Sequence, residues 1–83
     1  MKVLYFASLR ERLNRSEDQV SPPAEVGTAG ALLDWLAARD ETLGLAIERR
    51  ERFKVAVNAR IVPLDHAIGP DDTIAILPPM TAG

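Results

Sequence analysis

The sequence predicts an α+β fold in which a mixed sheet packs on one main helix. Three observations predict it. Strand-like apolar runs stand near both ends of the chain, at residues 2–6 and 73–77, and an amphipathic helical stripe begins between them at Thr28. The remaining candidate strands fall on either side of that stripe, so sheet and helix can each bury one face against the other.

Lys2-Val3-Leu4-Tyr5-Phe6 is β-branched, aromatic and apolar, as a strand requires. A period of two sends Val3 and Tyr5 to one face and Leu4 and Phe6 to the other, so both faces are apolar. Ser8 to Asn14 predicts a short helix, with Ser8 as N-cap, Glu11 completing a capping box and Asn14 closing it. Residues 17–21 predict a polar strand ended by Ser21-Pro22-Pro23, because proline offers no ladder donor and restricts its predecessor. From Thr28, the apolar residues Ala29, Leu32, Leu33, Leu36 and Ala37 recur at helical spacing, with Gly30 weakening the first turn and Trp35 on the flank. A second helical stretch, about Leu43 to Arg52, leads into the alternating strand Phe53-Lys54-Val55-Ala56-Val57. Asn58-Ala59-Arg60 reads as a turn before the apolar pair Ile61-Val62 and the breaker Pro63. Gly69-Pro70-Asp71-Asp72 is a further turn, and Thr73-Ile74-Ala75-Ile76-Leu77 the last strand. This order fits a β-grasp sheet, although periodicity alone does not separate it from other small α+β folds, and a fold does not name a function.

Eighty-three residues predict one domain, with little room for both a core and an enclosed active site. There is no cysteine, so neither a disulfide nor a Cys-ligated metal can staple the chain, and packing of the 47% apolar residues must stabilise it. Scattered basic residues and a formal net charge of -2 make nucleic acid an unfavourable partner. No apolar run approaches membrane-spanning length, and a cytoplasmic protein is expected. His66, the single histidine, has no visible partners for a triad or metal site and reads with Asp65 as a turn pair. Glu48-Arg49-Arg50-Glu51-Arg52 reads as a solvated face of mixed sign.

Beyond the last strand the chain continues as Pro78-Pro79-Met80-Thr81-Ala82-Gly83. Two prolines end ladder pairing and favour an extended backbone, so residues 1–77 are expected to form the domain and 78–83 a flexible tail. Small residues at Ala82 and Gly83 would let such a tail enter a narrow channel and present its terminal carboxylate. A frayed chain end has the same composition.

Lys2-Val3-Leu4-Tyr5-Phe6-Ala7 with Leu9-Arg10-Glu11, then Ala56-Val57-Asn58, Leu64-Asp65-His66, Asp71-Asp72 and the ending Leu77-Pro78-Pro79-Met80-Thr81-Ala82-Gly83, together resemble the small subunit of molybdopterin synthase, a ubiquitin-like sulfur carrier. The resemblance spans the whole chain. It implies a β-grasp protein that serves as a non-catalytic sulfur donor in molybdenum cofactor biosynthesis. The carboxylate of Gly83 would be adenylated by a ubiquitin-activating-like adenylyltransferase that consumes ATP, then converted to a thiocarboxylate. The chain itself would bind no cofactor and no metal. The tail, Pro78, Pro79, Met80, Thr81 and Ala82, would enter the large synthase subunit in a heterotetramer, where sulfur passes to a cyclic pyranopterin monophosphate. Phe6, Ile61 and Leu77 match the positions by which that family packs on its large subunit. An exposed apolar patch beside a tail suits such docking, whereas a loop of the same chain could instead cover Leu4 or Phe6. The family ends in Gly-Gly, and this sequence departs from it by one methyl group at Ala82. A thiamine-pathway sulfur carrier would share the tail chemistry but is usually shorter; a ubiquitin-like binding module would carry the same body with an inert tail.

Overall fold

The computed structural model describes residues 1–79. Among them, five strands form one mixed sheet in the order β2-β1-β5-β3-β4. Strand β1 (Lys2–Tyr5) lies parallel to β5 (Thr73–Leu77), and β2 (Glu17–Gln19) pairs antiparallel on its other side. Strand β3 (Lys54–Val57) runs antiparallel to both β5 and β4 (Arg60–Val62). The expected α+β, β-grasp architecture is therefore present.

Strand β1 passes into helix α1 (Ala7–Leu13) through a single residue, Phe6. Phe6 is extended and its carbonyl accepts from the amides of Leu9 and Arg10, while Ala7 takes a left-handed φ of 49° to turn the corner. The expected Ser8 cap is not formed: the helix begins one residue before Ser8, with no side-chain cap bond, because Phe6, the residue after the strand, fills the cap position. Asn14 does close α1, in the left-handed conformation. The predicted strand at 17–21 is shorter, although Val20 still exchanges two backbone bonds with Met1 before the prolines intervene.

Helix α2 (Ala29–Arg39) is capped by Thr28, whose Oγ1 accepts from the Ala31 amide at 3.1 Å. Two further first-turn donors go to the turn after β4: the Ala29 amide to the His66 carbonyl and the Gly30 amide to the Leu64 carbonyl, at 3.0 and 2.7 Å. A Cβ at position 30 would stand 3.2 Å from that Leu64 oxygen, so Gly30 admits the turn rather than merely weakening the helix.

The second helical stretch is not continuous over 43–52. Helix α3 covers Glu41–Ala46, starting earlier because Asp40 Oδ1 caps it by accepting from the Leu43 amide at 3.1 Å. After Ile47 the charged run offers no further apolar residue to bury, and short helices persist only where packing holds them. The chain instead turns through a 3₁₀ segment at Arg50–Arg52 into β3.

The core lies between the sheet and the helices. Val3, Tyr5, Val55, Val57, Ile74 and Ile76 project from one sheet face onto Leu32, Leu33 and Leu36 of α2, joined by Leu9, Leu13, Leu43 and Ile47. Among the described residues the fully buried side chains are apolar apart from the Tyr5 hydroxyl, which bonds to Asp18, so packing supplies most of this interior. Trp35 is half-buried on the flank of α2, with the Arg39 guanidinium 4.5 Å from its ring centroid.

Candidate functional site

The sheet face turned away from the helices is the part that core packing leaves unexplained. Strand pairing aligns Leu4 with Ala75, Ala75 with Ala56 and Ala56 with Ile61, a transverse apolar row across four strands. Ala56 is only 6% exposed because its paired neighbours flank it. In the next row toward the end of β5, Leu77 pairs with Lys54. Phe6, extended and one residue beyond Tyr5, continues the alternation onto the same face.

Phe6, Ile61 and Leu77 thus share the open face. Phe6 is 41% exposed and Ile61 65% exposed, so no loop among the described residues covers them. Leu77 is half-buried. Glu17, Lys2 and Lys54 supply a charged rim, with Lys2 Nζ 3.9 Å from Glu17 Oε2. An apolar centre with a polar margin is the usual anatomy of a protein-binding surface.

The root of the tail belongs to this face. Leu77 ends β5, Pro78 is half-buried and Pro79 is exposed. Met80, Thr81, Ala82 and Gly83, the other residues assigned to the tail, lie outside the described residues.

Two polar networks fix the scaffold around the face. Tyr5 donates its hydroxyl to Asp18 Oδ2 at 2.6 Å, and Arg15 bridges Asp18 to Asp40 Oδ2, which it meets at 2.6 Å. Burial, then the carboxylate beside it, pushes the Tyr5 hydroxyl well above the ordinary phenol range. The Arg15 guanidinium, followed by the backbone amide of Leu43, holds the Asp40 carboxyl below the usual aspartate value. At the opposite end of the sheet, Asp72 accepts from Asn58 Nδ2 at 2.9 Å and from the Gly69 amide at 2.8 Å, and its carboxyl is lowered by those bonds in that order. Asn58 Oδ1 in turn accepts from the Thr73 amide, tying the β3–β4 turn to the start of β5.

His66 is exposed and contributes its backbone carbonyl to α2 rather than its ring to a site. Among the described residues no group of three His, Cys, Asp or Glu side chains could hold a metal ion, and no helix is long and apolar enough to cross a membrane. Sequence reasoning missed the Asp40 cap and the Arg15 bridge. The first was signalled by aspartate three residues before Leu43; the second joins residues 25 apart and had no local signal.

The five-stranded mixed sheet packed on its helices, with an apolar outer face, is the ubiquitin-like β-grasp class of fold. In agreement, the chain superposes on SAMP1 from Haloferax volcanii with a TM-score of 0.78 at 23% identity, over 99% of this chain and 97% of that one. It also superposes on a chain of the complex of subunits 1 and 2 of molybdopterin-converting factor from Helicobacter pylori, with a TM-score of 0.64 at 18% identity, over 99% and 96% of the two chains. Residues 3–83 match the ThiS family. The molybdopterin synthase sulfur carrier subunit of Escherichia coli K12 is 35% identical over 83 residues, which is 100% of this chain and 99% of that protein. The chain belongs to the ThiS family.

Proposed function

We propose that this chain is the sulfur carrier subunit of a molybdopterin synthase, acting in the cytoplasm through the carboxylate of Gly83. What carries this reading is the relationship to a molybdopterin synthase sulfur carrier subunit over the full 83 residues, tail included. The geometry suits it: an apolar face stands ready for a large subunit, and the segment after Leu77 leaves from that face's edge. The solved Helicobacter pylori complex pairs subunits 1 and 2 of molybdopterin-converting factor, and a comparable partner is proposed here, in a heterotetramer.

In this reading residues 1–77 are the handle and 78–83 the working arm. The Gly83 carboxylate attacks the α-phosphorus of ATP in an activating adenylyltransferase, forming an acyl adenylate and releasing pyrophosphate. Hydrosulfide adds at the acyl carbon and loses its proton, and AMP leaves with the electron pair, which oxide could not do from a free carboxylate. The resulting thiocarboxylate gives its sulfur to a cyclic pyranopterin monophosphate in the large subunit, and water restores the carboxylate. This chain supplies the acyl group and the docking surface, while its partners supply ATP and acceptor sites.

Intact mass spectrometry after incubation with the activating enzyme, ATP and a sulfur donor tests the proposal. One oxygen should be exchanged for sulfur, localised to Gly83, and Ala82→Gly should accelerate the exchange by freeing the penultimate backbone. A chain lacking Ala82 and Gly83 that still supports molybdopterin formation would show the tail to be inert and the proposal wrong.

A further inference from the structure

A second surface meets the root of the tail on the side away from the open sheet face. The segments of α1, α3 and the 3₁₀ turn that approach Pro78 and Pro79 enclose a groove of about 470 Å³. Its floor is apolar, formed by Leu45, Ala46, Phe53 and the two prolines, and Leu45 is 56% exposed. Its walls carry Arg12, Arg49 and Arg52 against the single acid Glu48.

This concentration of positive charge opposes the net charge of -2 on the whole chain. The three arginines are exposed, and among the described residues none is bonded to a carboxylate. Their neighbour Arg50 behaves differently: it reaches Asp34 Oδ1 at 3.2 Å and donates to the Ile47 carbonyl, so it holds the fold together. Among the described residues, the side chains of Arg12, Arg49 and Arg52 make no ion pair or hydrogen bond. Arg12 comes from α1, Arg49 and Arg52 from the 3₁₀ turn before β3, and the fold brings them to one groove.

Resting on the sulfur-carrier reading, we infer that this groove docks a carboxylate-bearing, partly apolar strip on the ATP-dependent enzyme that activates Gly83. The occupant follows from the charge and from the position. Unpaired guanidiniums bind carboxylates bidentately, and an apolar floor adds anchoring without further charge. Pro78 and Pro79 line the groove, so an enzyme that grips the tail necessarily passes over it. The carrier must leave its activator once loaded and then dock elsewhere. Exposed charge pairs favour rapid encounter and release, whereas the uncovered apolar face suits the longer-lived synthase contact.

The test is a triple variant, Arg12→Glu, Arg49→Glu and Arg52→Glu, in the full-length chain, with the triple lysine variant beside it. Circular dichroism and melting establish that both fold. Activation by the adenylating enzyme, read as ATP–pyrophosphate exchange against carrier concentration, should fall by about tenfold in kcat/KM for the glutamate variant. The wild-type rate should decline with added salt, and the glutamate variant should lose that dependence. Lysine should restore most of the rate, and affinity for the large synthase subunit should match wild type in both variants. Unchanged activation of the glutamate variant, or a loss confined to large-subunit binding, would overturn the groove assignment and leave the sulfur-carrier reading standing. Wild-type chain that is never adenylated would overturn both.

Discussion

At the scale of single residues, Asp40 does two jobs at the junction of α2 and α3. Its Oδ1 caps α3 and its Oδ2 receives Arg15, which also grips Asp18 beneath Tyr5. The ion pair with Arg15 needs the ionised carboxyl and the cap bond is stronger to it, and the folded-state pKa is accordingly lowered. The stabilisation is complete above the ordinary aspartate range and is lost as pH falls through the lowered folded value. Asp40→Ala should cost about 1 kcal/mol at neutral pH in urea denaturation. Asp40→Asn, which keeps a capping oxygen, should cost less and make the acid limb of the stability profile shallower than in the wild type. Gly44 is a second tight point, since a Cβ there would lie 2.9 Å from the Ala37 carbonyl oxygen. Gly44→Ala should therefore lower stability by about 1–3 kcal/mol, against the gain its helix propensity alone would give, and thermal melting decides the sign.

At the scale of elements, the sequence was most informative where periodicity and burial agree. The stripe of Ala29, Leu32, Leu33 and Leu36 gave α2, and the alternation of Thr73 to Leu77 gave β5, because each buries one face only. It was least informative where the reason for a boundary lies elsewhere in the chain. Ser8 looks like a cap locally, yet β1 runs straight into α1; the 43–52 stretch looks helical, yet nothing apolar after Ile47 holds it. For the site, strand parity placed Leu4 and Phe6 on one face from sequence alone, and the family resemblance added Ile61 and Leu77. The arginine groove was invisible, since Arg12 is distant in sequence from Arg49 and Arg52. The β3–β4 turn illustrates how local chemistry can be serviceable without being optimal. Both Asn58 and Ala59 have positive φ, 51° and 70°, a conformation that asparagine tolerates and alanine does not. Ala59→Gly should raise stability by about 0.5–1 kcal/mol, measured as an increased urea midpoint with an unchanged m-value.

At the scale of the whole molecule, the core and the proposed docking surface lie on opposite faces of one sheet. Tyr5, Ile74 and Ile76 serve the core, while Phe6, Ala75 and Leu77 alternate with them toward the outside. Substitutions on the outer face should separate the two properties. Phe6→Asp or Ile61→Asp should weaken large-subunit binding in calorimetry by at least about tenfold, with little change in melting temperature. The exposed apolar face also has to be kept from sheet-edge association. Strand β2 spans three residues and carries Glu17 and Asp18, and β4 is equally short and begins with Arg60, so neither edge offers a long neutral template. The strand that bears the tail occupies the middle of the sheet, bonded to β1 on one side and β3 on the other. A pull exerted through Pro78 is therefore shared by two ladders loaded lengthwise, which must slide together before either breaks. The sheet thus anchors whatever load the proposed partner would place on Pro78 where the body resists it best.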